Sequence, residues 1–229
     1  MDKKDASVLI VDTLKSRSVL KRQVYNNTLA AFVSMKKILK YLISNYRKQL
    51  SGEMKNTLEF RDRGPFEAEI KVAGDLLIFT MHSNVFSFDR SHPIWKTSYL
   101  QKDDDAHFCG IINIYNFLAD SFKYNRADDM GYLVGRIFIN KDNHFFAEGK
   151  RQLGYLYTDF SNSVVDTKSL RDIIQSAILY CIHFDLMVPP FDAMVNVTVQ
   201  QMQEKMSMSR IATGKRMGFR FYADDDFQG

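Results

Sequence analysis

Acidic side chains are missing from a long stretch near the start of this sequence: none occurs between Asp12 and Glu53. Breakers are missing from the same stretch, the first glycine being Gly52 and the first proline Pro65. Without them the opening segment has no turn signal, which excludes a loop-rich or β-hairpin beginning. Cysteine is scarce: only Cys109 and Cys181 occur in 229 residues. Two thiols so far apart exclude a disulfide scaffold and give no local metal or redox spacing, so both are read as reduced core residues. No run comes near the ~18 uninterrupted apolar residues that a bilayer span needs. The apolar patch Val8 to Val11 follows Asp2, Lys3, Lys4 and Asp5 and is too short and too charged for a signal peptide. The expected compartment is the cytoplasm, with no membrane span.

What is present points to a folded α+β chain. Hydrophobic residues make up 45%, charged residues 25% and aromatics 13%, a globular balance with extra aromatic side chains for a core. The first 50 residues read as one long helix or two consecutive ones, because Leu20, Val24, Met35, Ile38, Leu39, Leu42 and Tyr46 recur at three- and four-residue spacing. If there is a break, it lies at Asn26-Asn27-Thr28, whose side chains compete for backbone hydrogen bonds. Ser51 and Gly52 end the helix.

From Leu58 the texture changes to short β-branched and aromatic runs. Phe66–Val72, Leu76–His82, Val85–Phe88, Trp95–Leu100, Tyr132–Ile139, His144–Glu148 and Leu153–Thr158 read as strands, and Asn140-Lys141-Asp142-Asn143 as a hairpin turn. Cys109–Tyr124 fits either state, and its length favours a helix. A helix is expected from about Ser169 to Leu186, opened by a Ser169/Asp172 capping pair and stopped by Pro189 and Pro190. A further helix from Asp192 to about Met206 and a last strand from Met217 to Tyr222 complete the reading, before an acidic tail. The expected architecture is α+β: a long N-terminal helix, a central antiparallel sheet of about five or six strands, and helices packed on one face. Residues 1–52 form the basic amphipathic segment and 53–229 the globular part, within one continuous domain.

Charge is the first feature that points to function. The formal +4 of the chain divides into +8 over residues 1–52 and −4 over residues 53–229. On a helical wheel Lys15, Arg22, Lys36, Lys40 and Arg47 gather opposite the apolar stripe. Such a face either is solvated and paired with the acidic remainder of the fold, or meets an anionic partner through Lys36, Lys37, Lys40, Arg47 and Lys48. No recognition-helix or zinc-finger pattern accompanies the charge, so base-specific reading of a duplex is not expected.

Histidine is the second. His82, His92 and His107 fall near Asp103-Asp104-Asp105 and Trp95, and with Asp105 they have the chemistry of a metal site. Their spacing matches no ligand motif, however, and no metal or cofactor is expected. Ala212-Thr213-Gly214-Lys215 lacks the upstream glycine of a phosphate loop, Ser18-Val19-Leu20-Lys21 has no partner motif, and Gly131 to Gly135 holds no serine nucleophile. His144 and Glu148 share strand parity but stand ~13 Å apart along a strand, too far for a hydrogen-bonded dyad.

Aromatic density is the third. Trp95, His107, Tyr115 and Tyr132 are candidate pocket residues, placed between the sheet and its covering helices. The function these features favour is a non-enzymatic regulatory or interaction module of sensor-like plan, binding a small molecule or a protein partner. The alternatives are nucleic-acid association through the basic helix and a metal- or acid/base-dependent enzyme centred on His82 to His107. The long apolar helical face also makes a homodimer possible.

Overall fold

The computed structural model describes residues 5–184, 198–200 and 202–203. Helix α1 (Ala6–Gln49) opens the chain, and the 3-10 turn Gly52–Thr57 leads into β1 (Leu58–Asp62), β2 (Glu67–Val72) and β3 (Asp75–Met81). A connection containing 3-10 turns at Pro93–Lys96 and Asp104–His107, with α2 (Ser98–Lys102) between them, reaches β4 (Cys109–Leu118). After α3 (Ala119–Lys123) come β5 (Tyr132–Asn140), β6 (Phe145–Gly149), α4 (Leu153–Leu156) and α5 (Thr167–Ile182). The chain divides into two compact units: Met1–Leu118 with Met130–Asp185, and Ala119–Asp129 with Leu186–Gly229.

In the first unit the six strands pair antiparallel in sequence order, β1-β2-β3-β4-β5-β6. Alternation does the sorting. Ala68, Ile70 and Val72 of β2, Leu77, Phe79 and Met81 of β3, and Ile112 and Ile114 of β4 all point to one face. There they meet Phe32, Met35, Leu39 and Leu42 of α1 and Leu170, Ile173, Ile174 and Ala177 of α5 in one continuous core. The opposite face is split: Glu59, Arg61 and Glu69 form a charged cluster on β1 and β2, while Phe138 and Phe146 are roofed by the β3–β4 connection through Ile94, Leu100 and Ala106. The two long helices thus share one face, as expected, and the five-residue α2 lies on the other.

α1 is a single helix of 44 residues. The suspected break is a docking point: Asn27 Nδ2 donates to the carbonyls of Asn140 (3.1 Å) and Lys141 (2.7 Å), and Thr28 Oγ1 donates back to Val24 O. At Thr28 the helix comes so close to β4 that a Cβ on Gly110 would sit 2.1 Å from Thr28 Oγ1. The 140–143 turn forms as expected, with Asn143 at φ +61° and Asn140 Oδ1 accepting from the Asp142 and His144 amides at 2.9 Å each.

Four assignments differ from the sequence reading. Cys109–Leu118 is a strand, not a helix: paired with β3 and β5 along its edges, it packs Ile112 and Ile114 into the core on one face and Cys109 and Ile111 under the β3–β4 connection on the other, so apolar residues of both parities read as helical spacing. Trp95–Leu100 is helical, because Pro93 takes the first position of a 3-10 turn and His92 caps it through Nδ1. Leu153–Leu156 is α4 rather than a strand, entered through Arg151 at φ +49°. Val85–Phe88 contributes only a single bridge, Phe86 to Cys109. β1, unassigned from sequence, is an edge strand. α5 starts earlier than expected, with Asp166 and Ser169 forming its capping box, and ends at Ile182.

The second unit is described over 119–129, 198–200 and 202–203; in α3 and the turn after it, Ser121 Oγ donates to Asp129 Oδ2 at 2.6 Å and Asn125 takes φ +50°. The expected stop at Pro189-Pro190, the Met217–Tyr222 strand and the Ala212–Lys215 tetrad lie outside the described residues. Of the expected 192–206 helix, Val199, Gln200, Met202 and Gln203 are described and helical.

Candidate functional site

The last turns of α1 carry Lys40, Ser44, Arg47 and Lys48, whose four- and seven-residue spacings place them along one side of the helix. The extended Leu50 and Gly52 at φ +56° reverse the chain, and the 3-10 turn brings Lys55 back beside them. Thr57 Oγ1 closes that turn by donating to Met54 O at 2.6 Å. β1 then supplies Glu59 and Phe60. Together these side chains line a groove of about 540 Å³, with buried Ile43 and half-buried Phe60 at its apolar side.

Four cations and one carboxylate line this groove, and the carboxylate is already engaged. Arg61 grips Glu59 with two hydrogen bonds, Nε to Oε1 at 2.7 Å and Nη2 to Oε2 at 2.8 Å. That grip holds the Glu59 carboxyl below its ordinary range, with the charges of Lys71 and Arg47 acting in the same direction. Among the described residues no ion pair reaches Lys40, Arg47, Lys48 or Lys55. Arg47 and Lys48 also complement the negative end of the helix dipole, a demand that helix termini place on cations regardless of any ligand. The surplus positive charge suits an anion.

Of the five cations read from the sequence, three therefore come together. Lys36 does not join them: it is largely buried and pairs with Asp62 Oδ1 at 2.6 Å while also donating to the Gly64 carbonyl. Lys37 is exposed but does not line the groove. Lys55 was missed, since its signal is only its place a few residues after the helix terminator.

The aromatic candidates are divided. Trp95 and His107 stand side by side, ring centres 4.6 Å apart, on the sheet face opposite α1 and α5. The Arg90 guanidinium covers Trp95 at 3.9 Å, Trp95 Nε1 donates to Asp89 O at 2.9 Å, and His107 donates Nδ1–H to the Asp104 carbonyl. Tyr115 lies mid-strand on β4, paired across from Leu133, and Tyr132, at the start of β5, packs its ring against a tilted Phe184 ring with centres 5.5 Å apart.

The three histidines between His82 and His107 are likewise dispersed into local roles. His82 Nδ1 accepts from the Asn84 amide at 3.0 Å. His92 Nδ1 accepts from the Ile94 amide at 3.2 Å, so its Nε2 carries the hydrogen, and Nε2 lies 3.4 Å from Glu148 Oε1. Arg136 holds the other Glu148 oxygen at 2.6 Å. Through both ring nitrogens of His92, this cluster fastens the β3–β4 connection to β5 and β6. Among the described residues no three His, Cys, Asp or Glu side chains converge as metal ligands, and no helix is long and apolar enough to cross a membrane.

Comparison with protein-family models, with curated proteins and with solved structures returns no match. The groove at the end of α1 must be interpreted from its own chemistry.

Proposed function

We infer that this protein is a non-enzymatic interaction module, and that the groove between the last turns of α1 and β1 binds an acidic segment of a protein partner. One observation carries the reading: Lys40, Arg47, Lys48 and Lys55 converge while the carboxylate among them is clamped by Arg61. Uncompensated cations beside a low-dielectric wall attract an opposite charge over a Debye length and orient its approach. Phe60 offers the segment an apolar contact once it has docked. The groove is of a size for a peptide segment. Self-association through the N-terminal part of α1 belongs to the same reading.

The test is fluorescence anisotropy of a labelled poly-glutamate peptide, with labelled single- and double-stranded nucleic acid in parallel, across a range of salt. The peptide should bind, weaken as salt rises, and lose at least about tenfold in affinity when Lys40, Arg47 and Lys48 are all changed to Glu. Nucleic acid binding more tightly than the peptide, with a steeper salt dependence and the same sensitivity to the triple variant, would move the surface to a phosphate backbone. Absence of binding to every probe at low salt, or binding untouched by the charge reversal, overturns the assignment.

A further inference from the structure

Residues Ala6–Val19 of α1 are exposed at every position; burial of the helix begins around Leu20, just past the Arg17 guanidinium that lies 5.2 Å from the Phe108 ring centre. The overhang is about 21 Å long at 1.5 Å per residue. It holds Val8, Leu9, Ile10, Val11, Leu14 and Val19, each 45–68% exposed. Val and Ile are weak helix formers, and a helix of this length gains its stability chiefly from burying a face. The overhang therefore has the character of a docking element.

Its charges identify what it docks on. Asp5, Val8, Asp12, Lys15, Val19 and Arg22 follow one another at alternating three- and four-residue spacing, forming a stripe turned away from the face that buries Val24, Phe32 and Met35. Among the described residues none of Asp12, Lys15 and Arg22 has an ion pair. Laid against itself in the reverse direction, the stripe is complementary: Asp5 faces Arg22, Val8 faces Val19, and Asp12 faces Lys15. A parallel pairing would set Asp12 on Asp12 and Lys15 on Lys15.

We propose that a second copy of this chain covers the striped face of the overhang, the two Asp5–Arg22 segments crossing antiparallel about a two-fold axis between Thr13 and Leu14. The contact is isologous, so each ion pair occurs twice. Leu9 and Val11 flank the seam and close it from both sides. The overlap, from Asp5 to Arg22, runs three residues past the overhang to where burial of α1 begins, so each helix tip ends beside the other copy's globular unit. There Lys21, Arg22 and Tyr25 line a groove of about 590 Å³ against Ser83–Phe86, a basic seat for the Asp5 tip. The proposal rests on the self-association reading above and gives it a surface and a register.

Sedimentation equilibrium of the full chain over a wide concentration range tests it. The wild type should be a reversible dimer that weakens as salt rises, Asp12→Lys and Lys15→Asp should each weaken it by at least about tenfold, and the double swap should restore it. All these positions are exposed, and circular dichroism checks that the fold is kept. A spin label on N26C should give a separation beyond about 30 Å in an antiparallel dimer and near ~10 Å in a parallel one. A monomer at every concentration overturns self-association and surface together. A dimer indifferent to the single reversals, not restored by the swap, or with close labels overturns the surface alone.

Discussion

At the scale of single residues, Asn140 ties together three segments far apart in the chain. Fully buried, it donates through Nδ2 to Tyr99 Oη (2.9 Å) and toward Ala106 O (3.3 Å), while Oδ1 accepts from the Asp142 and His144 amides. Its own carbonyl accepts from Asn27 of α1. The sequence marked it as a turn residue, which it is; its role as a hub was illegible because Tyr99, Ala106 and Asn27 have no local relation to it. Asn140→Ala leaves the Asp142 and His144 amides without their acceptor, while Tyr99 Oη keeps its hydrogen bond to Asp142 Oδ2, and should lower unfolding stability by about 2–4 kcal/mol. Urea denaturation of the variant measures this, and a loss under ~1 kcal/mol would show that the hub is dispensable.

At the scale of elements, the packing of α1 on the sheet depends on the absence of a side chain at Gly110. A Cβ there would fall 2.1 Å from Thr28 Oγ1 and 2.8 Å from Thr28 Cβ, inside contact distance of a fully buried residue. Gly110→Ala must push the helix away from β4 and should cost about 1–3 kcal/mol, the usual range for overpacking. Adding Thr28→Gly removes the obstruction, so the double variant should lose less than the two single losses added together. Additive losses in a thermal-denaturation cycle would refute the close approach. None of this could be read from periodicity, which put Thr28 at a possible helix break and Gly110 in a segment whose length favours a helix.

At the scale of the whole molecule, half-buried phenols and buried thiols set the response to alkali. Burial, the leading cause, and hydrogen bonding to Asp142 push Tyr99 up to about 12, and burial together with the Asp172 carboxylate does the same for Tyr157. Burial also raises both thiols, Cys181 to about 12 with the Asp75 charge adding to it, and Cys109 in the same direction. In each case the folded state holds the proton more tightly than the unfolded chain, whose groups titrate near 9 for thiols and 10 for phenols. Their contribution is complete below pH 9 and falls as pH rises through about 12. Denaturation midpoints should therefore be flat on the neutral side of pH 9 and decline above it, and Tyr157→Phe should flatten part of that decline. A midpoint that rises over this range would contradict the burial of these groups.

Local pattern alone determined much of this protein. The stretch free of proline and glycine up to Gly52 dictated a helical opening, one long helix or two, alternation marked β2, β3, β5 and β6, and the Asn/Asp tetrad set the hairpin at 140–143. Each of these is decided within a few residues, by dihedral preference and by the period of burial. Tertiary structure alone decided β4, because burial on both faces of a central strand imitates a helical stripe, and it decided α2 and α4, where caps and turns overrode β-forming composition. The candidate site divides along the same line. The basic stripe of Lys40, Arg47 and Lys48 was written in the helix period, whereas the neutralisation of Lys36 by Asp62, the arrival of Lys55 and the clamping of Glu59 by Arg61 depend on how the chain turns back on itself. Charges act through space, and only the folded chain sets those distances.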